Sequence, residues 1–550
     1  MRKPVPLSAV VLALTASTHC FAQTSPDAGR ILQELAIPPQ PIAPSADVRI
    51  QSPLPPEDTA QGGPQIELRQ IRFKGITRFD EEALSAVVHE ALGQPHDLAG
   101  LRNLARRITR FYREHGYPFA RAYLPPQRMT EGALLIEVIE GKYGAIAAVG
   151  EPDLAAQAQP YLSALRPGAV IEGTQLERAA LILGDLPGIV LVPVVKPGRE
   201  VGTGDVEARI ARGQAFDGTL RVDNHGNRYS GRYRALAAFN WNSPFMLGDR
   251  VSASALVSDE NLRFGQLSYS RPLGSSGLRG MVGYAHTHYE LGEEFASLDA
   301  AGIAKIASAG VSYPIVRTRN RNLLLSVQYQ HKKLRDEYGS VDVVNNKSSD
   351  SLPVSFRFDL RDDLAGGGIS YGVLSWIAGD LSLDSRDLRE QDRLGANTEG
   401  GFQKLVLDVA RVQRLSGDFS LYGRFTGQLA DKNLDSSESF SLGGANGVRA
   451  YPQGEGTGDT GWLTQLELRY AAGEFTPYVF YDIGRIARKV SPWATGDNRR
   501  SISGFGVGAR WVHKGFSVDV LAGWRAGGGK PESDARTSQP RVLLTAEYKL

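Results

Sequence analysis

The spacing of apolar residues along this chain changes character several times. Residues 25–36, SPDAGRILQELA, place Ile31, Leu32 and Leu35 on one side at helical period, with Ser25 or Asp27 as cap. A helix this short is marginal in water and must dock on something. Residues 37–64 lose all period in a run rich in Pro, Ser and Gln, including PPQPIAP and SPLPPED, which makes an extended, semi-rigid linker. Residues 23–36 and their linker together read as a tethered plug.

Between 65 and 142 the order becomes β-α-α-β-β. IELRQIRFKGI alternates as a strand, FDEEALSAVVHEAL and LAGLRNLARRITRFYREHGY are helical, and FARAYLP and ALLIEVIEGK alternate again. Leu101, Leu104, Ile108 and Phe111 share one helical face, so a small three-stranded sheet covered by two helices is expected. Residues 143–213 repeat the plan more weakly. Their helices are DLAAQAQPYLSAL and TQLERAALILGDL, the second opening with a Thr174-x-x-Glu177 capping box, and their strands are IVLVPVVKP and DVEARIARG.

From Phe216 onward helical period disappears, and 214–550 reads as strands near ten residues long with one apolar and one polar side. In GRYRALAAFNWN, Tyr233, Ala235, Ala237, Phe239 and Trp241 share one face, while Arg232, Arg234, Asn240 and Asn242 share the other. VSFRFDL, FSLYGRFTGQL, WLTQLELRY and GFSVDVLAGW behave alike. Alternation alone fits a soluble sandwich as well as a membrane barrel. Two features favour the barrel. Polar faces carry charged and amide side chains along nearly every strand, as a wet lumen would, with aromatics toward the strand ends. The last strand, VLLTAEYKL, runs to the final residue with Val542, Leu544, Ala546, Tyr548 and Leu550 outward. The segment accommodates about sixteen antiparallel strands, an even number as closure favours.

Charge and composition narrow the function. The formal net charge is +2, with no basic excess that would suit nucleic acid, and no run reaches the roughly 18 apolar residues of a spanning helix. Membrane crossing would therefore use strands. Residues 1–22 fit an export signal: Arg2 and Lys3, an apolar run from Val5 to Ala16, then Cys20-Phe21-Ala22 as the cleavage site, with a mature chain from near Gln23. The single cysteine leaves with it, so no disulfide or thiolate metal site is expected. His286-x-His288 lacks a third ligand at a recognisable spacing and reads as an aromatic-rich strand end. With no Gly-x-Ser-x-Gly, phosphate loop or His-Glu-x-x-His, no catalysis, metal or cofactor is expected.

The densest chemistry lies in NGVRAYPQGEGTGDTGW, Asn446 to Trp462, where Arg449, Tyr451, Glu455 and Asp459 stand among glycines. Downstream, YVFYDIGRI carries Phe480-x-Asp482-x-Gly484, and alternation turns Asp482 inward while Val479, Tyr481 and Ile483 face out. An inward carboxylate asks for a cation.

The glycine-rich stretch closely resembles the inward-folded sixth extracellular loop of the two-partner secretion transporters, the TpsB branch of the BamA-like outer-membrane superfamily. The family form is V-R-G-[FY], matched by Val448, Arg449 and Tyr451 with Ala450 in the third place, followed by Gly458 and Asp459. FKGITRF and its β-α-α-β-β context resemble a POTRA domain. LRVDNHGNRYSGRYR resembles the family's first barrel strand through Asp223, Asn224, Gly226, Asn227, Gly231 and Arg232.

The resemblance implies an outer-membrane pore exporting an unfolded exoprotein without ATP: a barrel at 214–550 with an inward loop at 443–462, behind POTRA domains at 65–142 and 143–213. It pairs Arg449 with Asp482 inside the barrel. It also implies a Gram-negative outer membrane, with the POTRA domains in the periplasm and lipid and lipopolysaccharide around a monomeric barrel. The client would be a TpsA-type exoprotein with an N-terminal secretion domain, of the haemolysin or filamentous adhesin kind, with periplasmic chaperones as candidate helpers. An assembly factor for membrane proteins is the alternative, and a passive porin a weaker one. Two POTRA domains and the N-terminal helix argue against the first, and a porin has no use for POTRA domains.

Overall fold

The computed structural model of the protein describes residues 26–35, 40, 62–493 and 495–550. The expected export signal with Cys20, and most of the 37–64 linker, lie outside these residues. Helix α1 (Ala28–Glu34) is capped by Asp27, whose side chain accepts from the Arg30 N–H.

The first α+β unit contains β1 (Gln70–Lys74), α2 (Glu81–Val88), α3 (Leu98–Glu114), β2 (Arg121–Tyr123) and β3 (Ala133–Ile139). Central β3 runs parallel to β1 and antiparallel to β2. Leu101, Leu104, Ile108 and Tyr112 of α3 pack on Ile71, Leu134, Ile136 and Val138 of the sheet. Phe111, expected on that face, is only partly buried, because the i+4 step from Ile108 selects Tyr112. Buried Glu140 ties the unit together, accepting from the Thr77 N–H at 2.6 Å, the Arg78 N–H at 2.9 Å and the Tyr112 hydroxyl at 3.0 Å.

The second unit holds β4 (Lys142–Val149), α4 (Pro152–Ala158), α5 (Gly173–Gly184), β5 (Ile189–Pro197) and β6 (Thr203–Arg212), in the order β4-β6-β5. The expected capping box of α5 does not form. The helix begins at Gly173 behind Glu172, which makes no side-chain cap bond. Thr174 donates to Glu172 at 2.8 Å, and Glu177 accepts from the Arg319 N–H at 2.8 Å, so its carboxylate is used across the interface with the barrel.

Sixteen antiparallel strands then close into a barrel: β7 (Phe216–Asp223), β8 (Arg234–Asn242), β9 (Arg250–Ser258), β10 (Arg263–Pro272), β11 (Arg279–Glu290), β12 (Ala300–Arg317), β13 (Arg321–Tyr338), β14 (Val343–Asp362), β15 (Gly368–Leu383), β16 (Gly400–Arg414), β17 (Phe419–Ala430), β18 (Thr460–Tyr470), β19 (Phe475–Ala487), β20 (Arg499–His513), β21 (Phe516–Gly527) and β22 (Arg541–Lys549). The alternation is as expected: Tyr233, Phe239, Trp241, Val542 and Leu544 are exposed on the outer wall, while Asn242, Asp359 and Leu543 are buried inside.

Two expectations about these strands are corrected. The mean near ten residues fails for β12 to β15, which have 18, 18, 20 and 16 residues. About 9–11 residues cross a bilayer, so these strands extend past the rim opposite the α+β units. Helical structure also returns among the described residues, in α6 (Arg386–Leu394), capped by Ser385, and in short 3₁₀ turns such as Glu293–Leu298 and Ser436–Glu438. Seam pairing is uneven: β22 meets β7 over five residue pairs, Thr545↔Asp223 to Lys549↔Thr219, whereas β21 meets β22 over eight.

The second α+β unit seats on the barrel rim at the start of β7. Arg317 donates from Nε and Nη2 to the two oxygens of Asp185, both at 2.6 Å, and Arg178 reaches the Pro314 carbonyl at 2.7 Å.

Candidate functional site

Residues 443–462 turn into the barrel because their backbone can bend sharply and their few apolar side chains find partners on the inner wall. A short ladder pairs Phe440–Ser441 with Thr457–Gly458 at the base of the loop. Gly444 adopts φ +108° at the turn, a conformation that side chains resist. Phe440, Leu442, Val448, Ala450 and Tyr451 then form a buried cluster with Leu463, Ile486 and Ile502 of the wall. Gly484 of the Phe-x-Asp-x-Gly motif acts by absence: a Cβ there would lie 2.6 Å from Leu442 Cδ2. The Ala450 methyl is met the same way, since a Cβ on Gly504 would lie 2.5 Å from it.

Arg449 lies at the centre of this packing. Its Nε donates to Asp482 Oδ2 at 2.8 Å and its Nη2 to Oδ1 at 2.6 Å, while its own backbone N–H donates to Oδ2 at 3.0 Å. The pair that the resemblance implied is present, in bidentate form. A second carboxylate, Glu467 of β18, binds Arg449 Nη1 and also accepts from Arg469 Nε at 2.7 Å. Phe480 caps the guanidinium, its ring centroid 3.8 Å from Arg449 Cζ. Arg449 and Arg469 therefore face Asp482 and Glu467, a charge-balanced network with Arg449 and both carboxylates buried. Burial leaves each charge dependent on its partners, because water cannot replace them.

The wall also holds the loop backbone. Arg424, paired with Asp408 at 2.6 Å, donates to the Asn446 carbonyl at 3.1 Å, and Gln465 donates to the Gly447 carbonyl at 2.9 Å. The Tyr451 hydroxyl lies 2.8 Å from the carbonyl oxygens of Gly527 and Gly529, and Arg541 donates to the Tyr451 carbonyl. Asp459 is fully buried beside Lys489 at 3.2 Å and accepts from the Val490 N–H. Gly458 passes so close to β19 that a Cβ would lie 2.3 Å from the Ala487 carbonyl oxygen.

Sequence reasoning left two anchors unassigned. Glu467 sits in WLTQLELRY, where alternation marks a lumen-facing residue without naming its partner. Glu455 stood out among the loop's polar residues, but its partners come from β20 and the loop before β22, far along the chain. It accepts from Arg500 Nε at 2.8 Å, the Glu532 N–H at 2.9 Å, and the Ser533 N–H and hydroxyl at 2.8 and 2.7 Å.

Asp223, Asn224 and Gly226 serve a different part of the barrel. Asp223 accepts from Arg234 Nε at 2.8 Å. Asn224 staples the seam: its Nδ2 donates to the Val542 carbonyl at 3.1 Å and its Oδ1 accepts from the Leu544 N–H at 2.9 Å. Gly226 allows a chain crossing in which a Cβ would lie 1.9 Å from the Gly231 carbonyl oxygen. They do not join the Arg449 network, although Gly226, Ala450, Pro452 and Arg541 line one cavity of about 210 Å³.

Helix α1 lies inside the barrel near the same loop. Ala28 and Ile31 pack with Tyr229, Leu256, Leu262 and Tyr289. Its Ala28 N–H donates to Asp336 at 2.8 Å, and Lys347 lies between Asp27 at 3.4 Å and Asp435 at 2.7 Å. Asn227 donates to Glu34 at 3.2 Å. Loop and helix together occupy the lumen, with a cavity of about 390 Å³ between Arg30 and Glu34 of the helix and Gly454 and Thr457 of the loop. Among the described residues, no group of His, Cys, Asp and Glu could hold a metal ion.

The family model described as "Haemolysin secretion/activation protein ShlB/FhaC/HecB" matches residues 202–511, and a ShlB-type POTRA domain model matches residues 66–141. Similar proteins include the "Heme/hemopexin transporter protein HuxB" of Haemophilus influenzae, 30% identical over 88% of this chain and 87% of that one. The "Hemolysin transporter protein ShlB" of Serratia marcescens is 25% identical over 84% of this chain and 82% of that one. In fold, the chain resembles CdiB from Escherichia coli with TM-score 0.71 and 18% identity, covering 92% of this chain and 94% of that one.

Proposed function

The chain belongs to the ShlB/FhaC/HecB family of haemolysin secretion/activation proteins, the outer-membrane translocation pores of two-partner secretion, and we propose that its Arg449 network is the clamp that closes this pore and must yield during export. The POTRA units receive an unfolded client from the periplasm and the barrel conducts it outward. Sheet edges suit that reception, because main-chain bonds tolerate any sequence. No nucleotide is needed if folding of the client outside makes return unfavourable. The protein then acts as a conduit and not as a catalyst.

The observation that carries the clamp reading is the bidentate Arg449–Asp482 pair, with Glu467 on the remaining guanidinium nitrogen, on a loop that enters the lumen. The relatives named above bear different cargo names, heme/hemopexin and hemolysin, so the client is assigned here as a secreted TpsA-type exoprotein.

The test is secretion of a candidate exoprotein by cells carrying the wild-type chain, Arg449→Ala, or a deletion of residues 66–142. Barrel level and heat-modifiability are followed alongside. Folded barrels at wild-type level with secretion lost in both variants support the reading. Unchanged secretion in Arg449→Ala would remove the clamp from transport, and failure of other outer-membrane proteins to assemble, with secretion intact, would favour an assembly factor.

A further inference from the structure

The register of the long strands lines up a row of donors on the outer wall. His286 of β11 is opposite Lys305 of β12, Lys305 is opposite Lys333 of β13, Lys333 is opposite Ser348 of β14, and Ser348 is opposite Ser382 of β15. Alternation places all five outward, since their neighbours Thr287, Ala304, Leu334, Ser349 and Leu381 are buried inside. One step toward the strand ends, Arg263 of β10 is opposite His288. The row lies on the half of the barrel away from the POTRA units, because β11 and β13 leave their rim at Arg279 and Arg321.

Directly opposed like charges destabilise a sheet, and Lys305 and Lys333 are such a pair. Among the described residues, neither lysine nor Arg263 has a carboxylate in ion-pair contact. Their surroundings do not neutralise them. Glu337 is taken by Arg335 at 3.0 Å, and Asp350 by His331 at 2.8 Å and the Tyr329 hydroxyl. Asp380 lies opposite Asp350, one row nearer the apolar band. That band begins within two rows: Tyr284 is two residues from His286 and Tyr329 four from Lys333, about 7 and 13 Å along a strand. Exposed aromatics at that depth mark the edge of the hydrocarbon layer, so the cations lie at the level of lipid headgroups.

We propose that Lys305 and Lys333, flanked by His286, Ser348, Ser382 and Arg263, bind the phosphate of an anionic glycolipid of the outer leaflet. This rests on the outer-membrane placement of the barrel and on no feature of its transport. A phosphate monoester between the lysines accepts from both ammonium groups and from the serine hydroxyls, replacing repulsion with charge-assisted bonds. Its acyl chains would run down the apolar face past Tyr329 and Leu352, whose side chains point outward and are exposed.

The test uses full-length protein purified from outer membranes and native mass spectrometry of lipid retention, with bisphosphorylated lipid A, its dephosphorylated form and a zwitterionic phospholipid as probes. The wild type is expected to retain the bisphosphorylated form, and Lys305→Gln/Lys333→Gln to retain it about tenfold less, with Lys305→Arg/Lys333→Arg restoring it. Equal retention by wild type and the Gln pair, or by wild type of phosphorylated and dephosphorylated forms, overturns the proposal. Displacement of the lipid by inorganic phosphate at comparable concentration would assign the site to a free anion and overturn the lipid. Heat-modifiability and secretion are read in parallel: a barrel that assembles and exports but shows no phosphate preference refutes this site alone, whereas a chain absent from the outer membrane refutes the placement beneath it.

Discussion

Arg449 shows how much one residue can hold. Three nitrogens of its side chain and backbone converge on Asp482, another meets Glu467, and Phe480 covers the guanidinium face. Lysine provides a point charge without the planar fork, so Arg449→Lys is expected to keep the charge and lose the geometry. Removing the cation outright leaves buried Asp482 without a cation and Glu467 with Arg469 alone, a cost of about 3–5 kcal/mol where the site is well desolvated. Both variants should lose the folded, fast-migrating gel form at a lower temperature than wild type, Arg449→Ala more than Arg449→Lys, and both should expose the loop to added protease. An unchanged transition in Arg449→Ala would mean that water already solvates the cluster.

Glu140 gives a pH-dependent counterpart outside the membrane. Burial pushes its carboxyl up, but the bonds from Thr77, Arg78 and Tyr112 outweigh this and hold it below the usual carboxylate range. A carboxyl lowered in the folded state contributes stability that is fully present above its unfolded pKa and is lost as pH falls through the folded value. The thermal stability of the POTRA region should therefore fall from near pH 4 downward. Glu140→Gln should cost about 2–3 kcal/mol at neutral pH and flatten that acid limb. A variant with the wild-type acid profile would transfer the effect to other carboxylates.

Among these residues, legibility followed locality. Arg449 and Asp482 each stand in a recognisable local pattern, and alternation alone turned Asp482 inward. Glu467 shares its strand face with other polar residues, and nothing nearby singles it out. Glu455 takes its partners from residues 500–533, a separation that no local pattern spans.

At the scale of elements, the sequence pattern was legible wherever burial imposed a period. Helix α3 and the barrel strands bury one face and so carry their period openly. Helix α6, RDLREQDRL, buries none of its residues and has only two leucines, so no apolar stripe announces it. The Thr174-x-x-Glu177 pattern misled because Glu177 has a better partner in the Arg319 N–H, on the barrel rim. The long strands were missed for a related reason: beyond the bilayer, the outward face is polar on β13 and β14, and the alternation that marks a strand fades. Helix α1 makes an element-level prediction. A Cβ on Gly29 would lie 2.4 Å from the Ser437 backbone nitrogen, so Gly29→Leu should drive the helix off its seat. Planar-bilayer recordings should then show larger and more frequent openings than wild type, while the barrel keeps its heat-modifiability. Identical traces would mean that the loop alone closes the lumen.

For the whole molecule, the central mechanical question is how a periplasmic unit is aimed at a pore. The second POTRA unit is fixed to the rim by contacts from several elements: Asp185 with Arg317, Arg178 with the Pro314 carbonyl, Gln157 with the Leu247 N–H at 2.9 Å, and Glu177 with the Arg319 N–H. The first unit is joined to the second through the short Glu140–Gly141 connection and a bond from the Gly173 N–H to the Gly116 carbonyl at 2.9 Å. A client captured on either sheet is thus held near the mouth of the barrel. Asp185 is partly exposed, whereas Arg317 is buried and also donates to Asn322 at 2.8 Å, so the pair fixes orientation as well as adding stability. Arg317→Ala should leave the barrel and both POTRA units folded, at a cost of about 1–3 kcal/mol for the partners it leaves unsatisfied. Spin labels on the second unit and the rim should show a broadened distance distribution, and export should slow in proportion to the lost alignment. If distances broaden while export is unchanged, the client finds the pore without being aimed, and the rigid seat serves assembly of the barrel instead.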